Sequence, residues 1–137
     1  MTRTFGATSE QVFAAWTSPR YFAEWFGTSD MPVDSVTMDV RVGGTWRATM
    51  HTPNGNTIDW AGEYTKVEPP FRLSFTMTDR PTDDARDPVA IEISPVDDGA
   101  VMTLAQAAAG FGEEQIAATI ASYDLFFDDM EKVLAAM

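Results

Sequence analysis

Apolar positions change their spacing twice along the chain, and each change marks a change of element. Val12, Phe13 and Trp16 form a helical face behind Thr8, and Gln11 stands three residues after that threonine, the spacing of a capping box. Ser18-Pro19 then offers a cap residue and a proline suited to a first helical position. Tyr21, Phe22, Trp25 and Phe26 follow before Gly27 stops the turn. Two short helices in tandem are predicted, preceded by the tail of a first strand at Arg3 to Phe5. Gly27 to Asp34, with Pro32 and several small polar residues, reads as a loop.

From Val36 the period becomes two. Val36, Met38 and Val40 alternate with Thr37, Asp39 and Arg41; Gly43-Gly44 turns the chain; Trp46, Ala48 and Met50 then alternate with Arg47, Thr49 and His51. Pro53-Asn54-Gly55-Asn56 marks the next turn, and Ile58 to Val67 forms a third strand with Trp60 and Tyr64 on one face and Gly62 as a bulge. Pro69-Pro70 ends it. Leu73, Phe75 and Met77 alternate next, a loop runs from Asp79 to Pro88, and Val89, Ile91 and Ile93 resume the pattern. Asp97-Asp98-Gly99 turns into a last strand from Val101 to Ala107. Tight turns between consecutive strands predict an antiparallel meander, curved and apolar on one face.

The final segment, Glu113 to Ala136, returns to the helical period. Ile116, Ile120, Tyr123, Phe127, Met130 and Leu134 recur at alternating spacings of four and three, with Phe126 and Val133 widening the stripe. At about 1.5 Å per residue this helix is roughly 35 Å long. It needs a broad apolar surface, and the sheet is the one available. The fold class is therefore α+β: a curved antiparallel sheet of six to seven strands, two short helices, and a long C-terminal helix packed across the sheet.

The chain has 137 residues, enough for one domain with one core, and residues 1–137 are read as that single domain. With no cysteine, disulfides, thiolate metal sites and a cysteine nucleophile are excluded. The N-terminus lacks the apolar core of a signal peptide, and no apolar run is long enough for a bilayer, so a cytoplasmic location without membrane insertion is expected. The net charge of -12, with its nine basic residues scattered, argues against nucleic acid and anionic membranes as partners.

The order of these pieces resembles the activator of heat-shock protein 90 ATPase homologue family, within the START and birch-pollen-allergen-like (SRPBCC) helix-grip superfamily. The matching residues are Arg3-Thr4-Phe5 with Ala7, Val12 to Thr17 before Ser18-Pro19, and Trp25-Phe26. Asp39 to Arg47, Gly62-Glu63-Tyr64, Pro69-Pro70 with Arg72-Leu73, and the final helix complete them. The resemblance implies a cavity between sheet and long helix, which relatives use for lipids, small hydrophobic molecules, cyclisation chemistry or protein partners. It also implies a fuller first strand than this chain has before Arg3. Tyr123 stands where the family often has tryptophan, and Gln106 where it often has histidine. The short first strand leaves a sheet edge open to self-pairing, so a monomer or a homodimer is expected.

Alternation predicts Trp46, Met50, Trp60, Tyr64, Phe75 and Met77 toward the interior. Ile91, Met102 and Leu104 join them from the last strands, and Tyr123 and Phe127 from the helix. Tryptophan, tyrosine and methionine suit an apolar ligand held by one or two hydrogen bonds, so binding of a small hydrophobic or aromatic molecule is the first expectation. A chaperone or other protein partner is the second. The third is an enzyme of the cyclase, hydratase or hydrolase kind. Its catalytic candidates are Glu63, a carboxylate that a bulge at Gly62 would turn inward, and His51, the sole histidine, on the outer parity of its strand. No metal is expected, because Asp79, Asp83, Asp84 and Asp87 do not follow calcium-loop spacing. No cofactor is expected either: no strand-to-helix step follows Gly43-Gly44, so these glycines form no phosphate loop.

Overall fold

The computed structural model describes residues 1–27, 29–79, 87–106 and 112–137. The elements run β1 (Thr2–Phe5), α1 (Ser9–Thr17), α2 (Pro19–Trp25), β2 (Val33–Met38), β3 (Thr45–His51) and β4 (Thr57–Glu68). They continue with β5 (Arg72–Met77), β6 (Asp87–Val96), β7 (Gly99–Gln106) and α3 (Glu113–Ala135). Seven antiparallel strands form one sheet in the order β1-β7-β6-β5-β4-β3-β2: a meander from β2 to β7, with β1 added outside β7. This is the α+β helix-grip architecture.

The capping box at Thr8 forms as its spacing predicts. The Gln11 amide donates to Thr8 Oγ1 at 3.1 Å and the Thr8 amide donates to Gln11 Oε1 at 2.9 Å, so two otherwise orphaned N–H groups of α1 are satisfied. α2 follows α1 with only Ser18 between them. Proline at position 19 begins α2 well but has no N–H for the Ala15 carbonyl one turn back. The indole of Trp25 supplies the missing donor, 2.7 Å from that oxygen.

Three local expectations are corrected. β2 begins at Val33, inside the segment read as a loop; a bulge between Asp34 and Thr37, with Ser35 at φ 52°, breaks the alternation there. Gly62 is not a bulge, since the register shift in β4 lies between Tyr64 and Lys66. Glycine is required at 62 by close approach: a Cβ there would lie 1.7 Å from the Thr76 carbonyl oxygen. Ile116 and Ile120, assigned to the packed stripe of α3, are 38% and 43% exposed. The loop through 80–86 and the lead-in at 107–111 lie outside the described residues, whereas β6 already begins at Asp87.

The core fills the concave face of the sheet. Phe5, Trp16, Trp25 and Phe127 meet with ring centroids 6.3–6.5 Å apart where Phe127 contacts the other three. From α3, Tyr123, Phe127, Met130, Val133 and Leu134 are buried, and full burial of such side chains contributes roughly 1.5–3 kcal/mol each. Arg3 on β1 ties the helix down from outside, reaching Asp128 at 2.5 Å and Glu131 at 3.6 Å.

Candidate functional site

The strand register collects the predicted interior residues on one face. Phe75 of β5 pairs with Tyr64 of β4 on one side and Val89 of β6 on the other. Trp46 of β3 reaches the same place, its ring 5.8 Å from that of Phe75. Trp46, Tyr64 and Phe75 line a void of about 10 Å³ together with Trp16, Phe22 and Met38. That space suits one water molecule at most. The two short helices therefore fill the middle of the grip, and Trp16 and Phe22 belong to the lining although periodicity assigned them only to their own helix faces. Met50, Met77, Ile91, Met102, Leu104 and Phe127 are buried in the surrounding core; Met102 Sδ accepts from the Trp16 indole at 3.1 Å.

Trp60 and Tyr123 stand apart from that void, joined by an aromatic row. Trp60 lies 6.0 Å from Phe26, Phe26 lies 5.3 Å from Phe126, and Phe126 lies 6.2 Å from Tyr123. The Tyr123 hydroxyl then donates to Gln106 Oε1 at 2.6 Å. The row crosses from β4 by way of α2 and α3 to the last residue of β7. In the sequence Gln106 stands out as a departure from the family pattern and not as a site residue, and Phe26 and Phe126 show only as members of apolar faces.

Two ties orient α3 against β7. Tyr123 meets Gln106, whereas Asp128 meets Arg3, whose strand partner is Met102. The helix thus runs antiparallel to β7, and residues 113–122, roughly 15 Å of helix, extend past the strand's end. Ile116 and Ile120 continue the stripe of Tyr123 and Phe127 at spacings of four and three but remain exposed. The gripping face of α3 is filled along its second half and uncovered along its first.

Both interior tyrosines hold their protons tightly. Burial raises the Tyr64 hydroxyl above its ordinary value, with the Asp39 carboxylate adding to the shift, and burial alone raises Tyr123. A folded pKa above the unfolded one gives stability that is fully present below the unfolded value of 10.0 and lost as pH rises through the folded one. Each tyrosine should contribute a loss of about 1.4 kcal/mol per pH unit in that window. Urea midpoints should therefore hold steady up to about pH 9.5 and then fall, with a shallower fall in Tyr123→Phe. Equal slopes in the two proteins would contradict the assignment to Tyr123.

The catalytic candidates lie elsewhere. Glu63 is exposed on the convex side, and its amide donates to Thr76 Oγ1 at 3.0 Å. His51 Nε2 pairs with Asp34 Oδ2 at 2.9 Å, with side chains 45% and 63% exposed, at the β2 edge. Among the described residues the buried polar side chains are Ser9 and Thr78, so no described carboxylate is turned into the core. No group of three His, Asp or Glu among them is placed to hold a metal, and no helix among them is long and apolar enough to cross a membrane.

Residues 6–135 match the sequence profile of the family described as activator of Hsp90 ATPase homolog 1-like protein. The chain belongs to that family. No curated protein matches it. Solved structures share the fold at low identity. A Chromobacterium violaceum protein is 20% identical, with 98% of this chain and 94% of that one covered and a TM-score of 0.85. A Rhodobacter sphaeroides protein is 24% identical over 99% and 90%, TM-score 0.82. A Staphylococcus aureus protein described as of unknown function is 19% identical over 99% and 91%, TM-score 0.79. The family match spans α1 to α3, and the solved structures share the fold over nearly the whole chain; at these identities they carry nothing finer.

Proposed function

We propose that the protein is a binding module for a small uncharged hydrophobic or aromatic molecule, held between the concave face of the sheet and α3, alongside the aromatic row that runs from Trp60 to Tyr123. The observation that supports this place is the change along α3. Its gripping stripe is buried from Tyr123 onward yet exposed at Ile116 and Ile120, directly beyond an aromatic row that ends in a polar pair. Apolar surface left uncovered next to aromatic rings and one or two polar groups is the composition of ligand sites. The net charge of -12 disfavours an anionic guest.

A cyclase, hydratase or hydrolase role has weaker support, because Glu63 and His51 both face outward and away from this row. Native mass spectrometry of the freshly purified protein tests the proposal. It should show a discrete added mass that disappears on denaturation.

A further inference from the structure

The four tryptophans of this chain are not equivalent in their hydrogen bonding. Trp16 donates to Met102 Sδ, Trp25 to the Ala15 carbonyl and Trp46 to the Thr76 carbonyl. Trp60 Nε1 is buried and has no partner. An indole N–H can only donate, and a buried donor without an acceptor loses its hydration with no return, so an orphan of this kind demands an explanation.

Among the described residues, the groups that flank Trp60 along the strands and the row are engaged or apolar. Ala61, next in the chain, exchanges both backbone bonds with Thr78, at 3.0 and 2.9 Å. Gln106 Oε1, at the far end of the row, already receives the Tyr123 hydroxyl. The residue facing Trp60 across β3 is Ala48, which has no polar side-chain atom. The other orphan among the described residues is the Ser9 hydroxyl, in the first turn of α1.

We infer that the missing acceptor belongs to the ligand: an aromatic or cyclic molecule bearing an uncharged acceptor oxygen, of the ketone, ester or lactone kind, that takes the Trp60 indole N–H. This rests on the binding site proposed above and adds the chemical class of its occupant. A plain hydrocarbon would leave the donor as it is. A carboxylate would enter against the charge of the whole protein, and no described lysine or arginine is buried to receive it.

The test is a matched pair of probes on the full ¹⁵N-labelled chain. 2-Acetylnaphthalene and 2-ethylnaphthalene have nearly the same shape, and only the first carries an acceptor. Transfer out of water favours the ethyl compound, so a preference for the acetyl compound requires a polar contact. The acetyl compound should bind about tenfold tighter, the size of one hydrogen bond to a previously unpaired donor. One indole N–H resonance should move downfield with it, and that resonance should be the one missing in Trp60→Phe. The variant should bind the two probes alike.

Equal affinities in the wild-type protein, or a preference retained in Trp60→Phe, would overturn the inference while leaving the binding site in place. Binding of neither probe would overturn both. If Trp60→Phe fails to fold, the wild-type affinity ratio still decides. The moving indole is then assigned by linking its ring to the Trp60 backbone and, sequentially, to Asp59 and Ala61.

Discussion

Trp25→Ala is expected to cost about 3–5 kcal/mol, the range for truncating a large buried aromatic side chain. Trp25 is 0% exposed and its ring meets those of Trp16, Phe22, Phe26 and Phe127. Removing it empties the junction at which both short helices meet α3. It also strips the indole donor from the Ala15 carbonyl, an oxygen that cannot find a helical donor because position 19 is proline. Against a total of roughly 5–15 kcal/mol for a domain, the loss should lower the melting temperature by about 10 °C or more. Trp25→Phe separates the two causes. It keeps most of the ring but orphans the carbonyl, and should cost about 1–3 kcal/mol. Thermal denaturation of both variants checks this. A Trp25→Phe protein as stable as the wild type would mean that the hydrogen bond contributes nothing beyond packing.

Gly62→Ala is expected to be comparably severe although it adds a single carbon. The new Cβ would lie 1.7 Å from the Thr76 carbonyl oxygen and 2.4 Å from Trp46 Nε1, and those two atoms are hydrogen-bonded to each other at 3.1 Å. Neither is the free end of a flexible side chain. β4 must move away from β5, or the Trp46 indole must leave its place beside Phe75 and Tyr64. Overpacking of a tight site costs typically 1–3 kcal/mol and sometimes more; with backbone as the obstacle, about 3 kcal/mol is the expected loss. Gly6→Ala serves as the control, since nothing lies within 4 Å of a Cβ there, and it should be neutral or slightly stabilising. Urea unfolding followed by tryptophan fluorescence distinguishes them. Wild-type stability in Gly62→Ala would show that β4 and β5 approach less closely than described.

The same glycine shows where sequence patterns stop informing. A glycine inside a strand signals either a bulge or a close approach of another chain segment, and composition does not separate them. Position 62 proved to be the second, with the bulge two to four residues later. The strands themselves were legible because alternation of Trp46, Ala48 and Met50, or Val89, Ile91 and Ile93, depends only on which face is buried. β2 was legible in part, since Ser35 at φ 52° moves the chain by one residue and scrambles the alternation around it.

In α3, periodicity identified one apolar face but not how much of that face the sheet covers. That depends on where β7 ends relative to Tyr123, a tertiary fact. The short helices were legible as elements and their role as filling was not: Trp16 and Phe22 line the central void only because α1 and α2 fold back onto β5 and β3. The orphaned indole of Trp60 is hidden from the sequence for the same reason, because a donor is orphaned only by the geometry of its neighbours.

The central claim is that α3 and the concave face hold a small apolar molecule alongside the aromatic row that runs from Trp60 to Tyr123. Native mass spectrometry of the protein, taken directly from purification and compared with the denatured chain, tests it most directly. A discrete excess of roughly a few hundred daltons, within the drug-sized range that such clefts enclose, lost on denaturation and identifiable as an uncharged aromatic or cyclic compound, is the predicted result. A native mass equal to that of the bare chain, unchanged after incubation with 2-acetylnaphthalene, would contradict it.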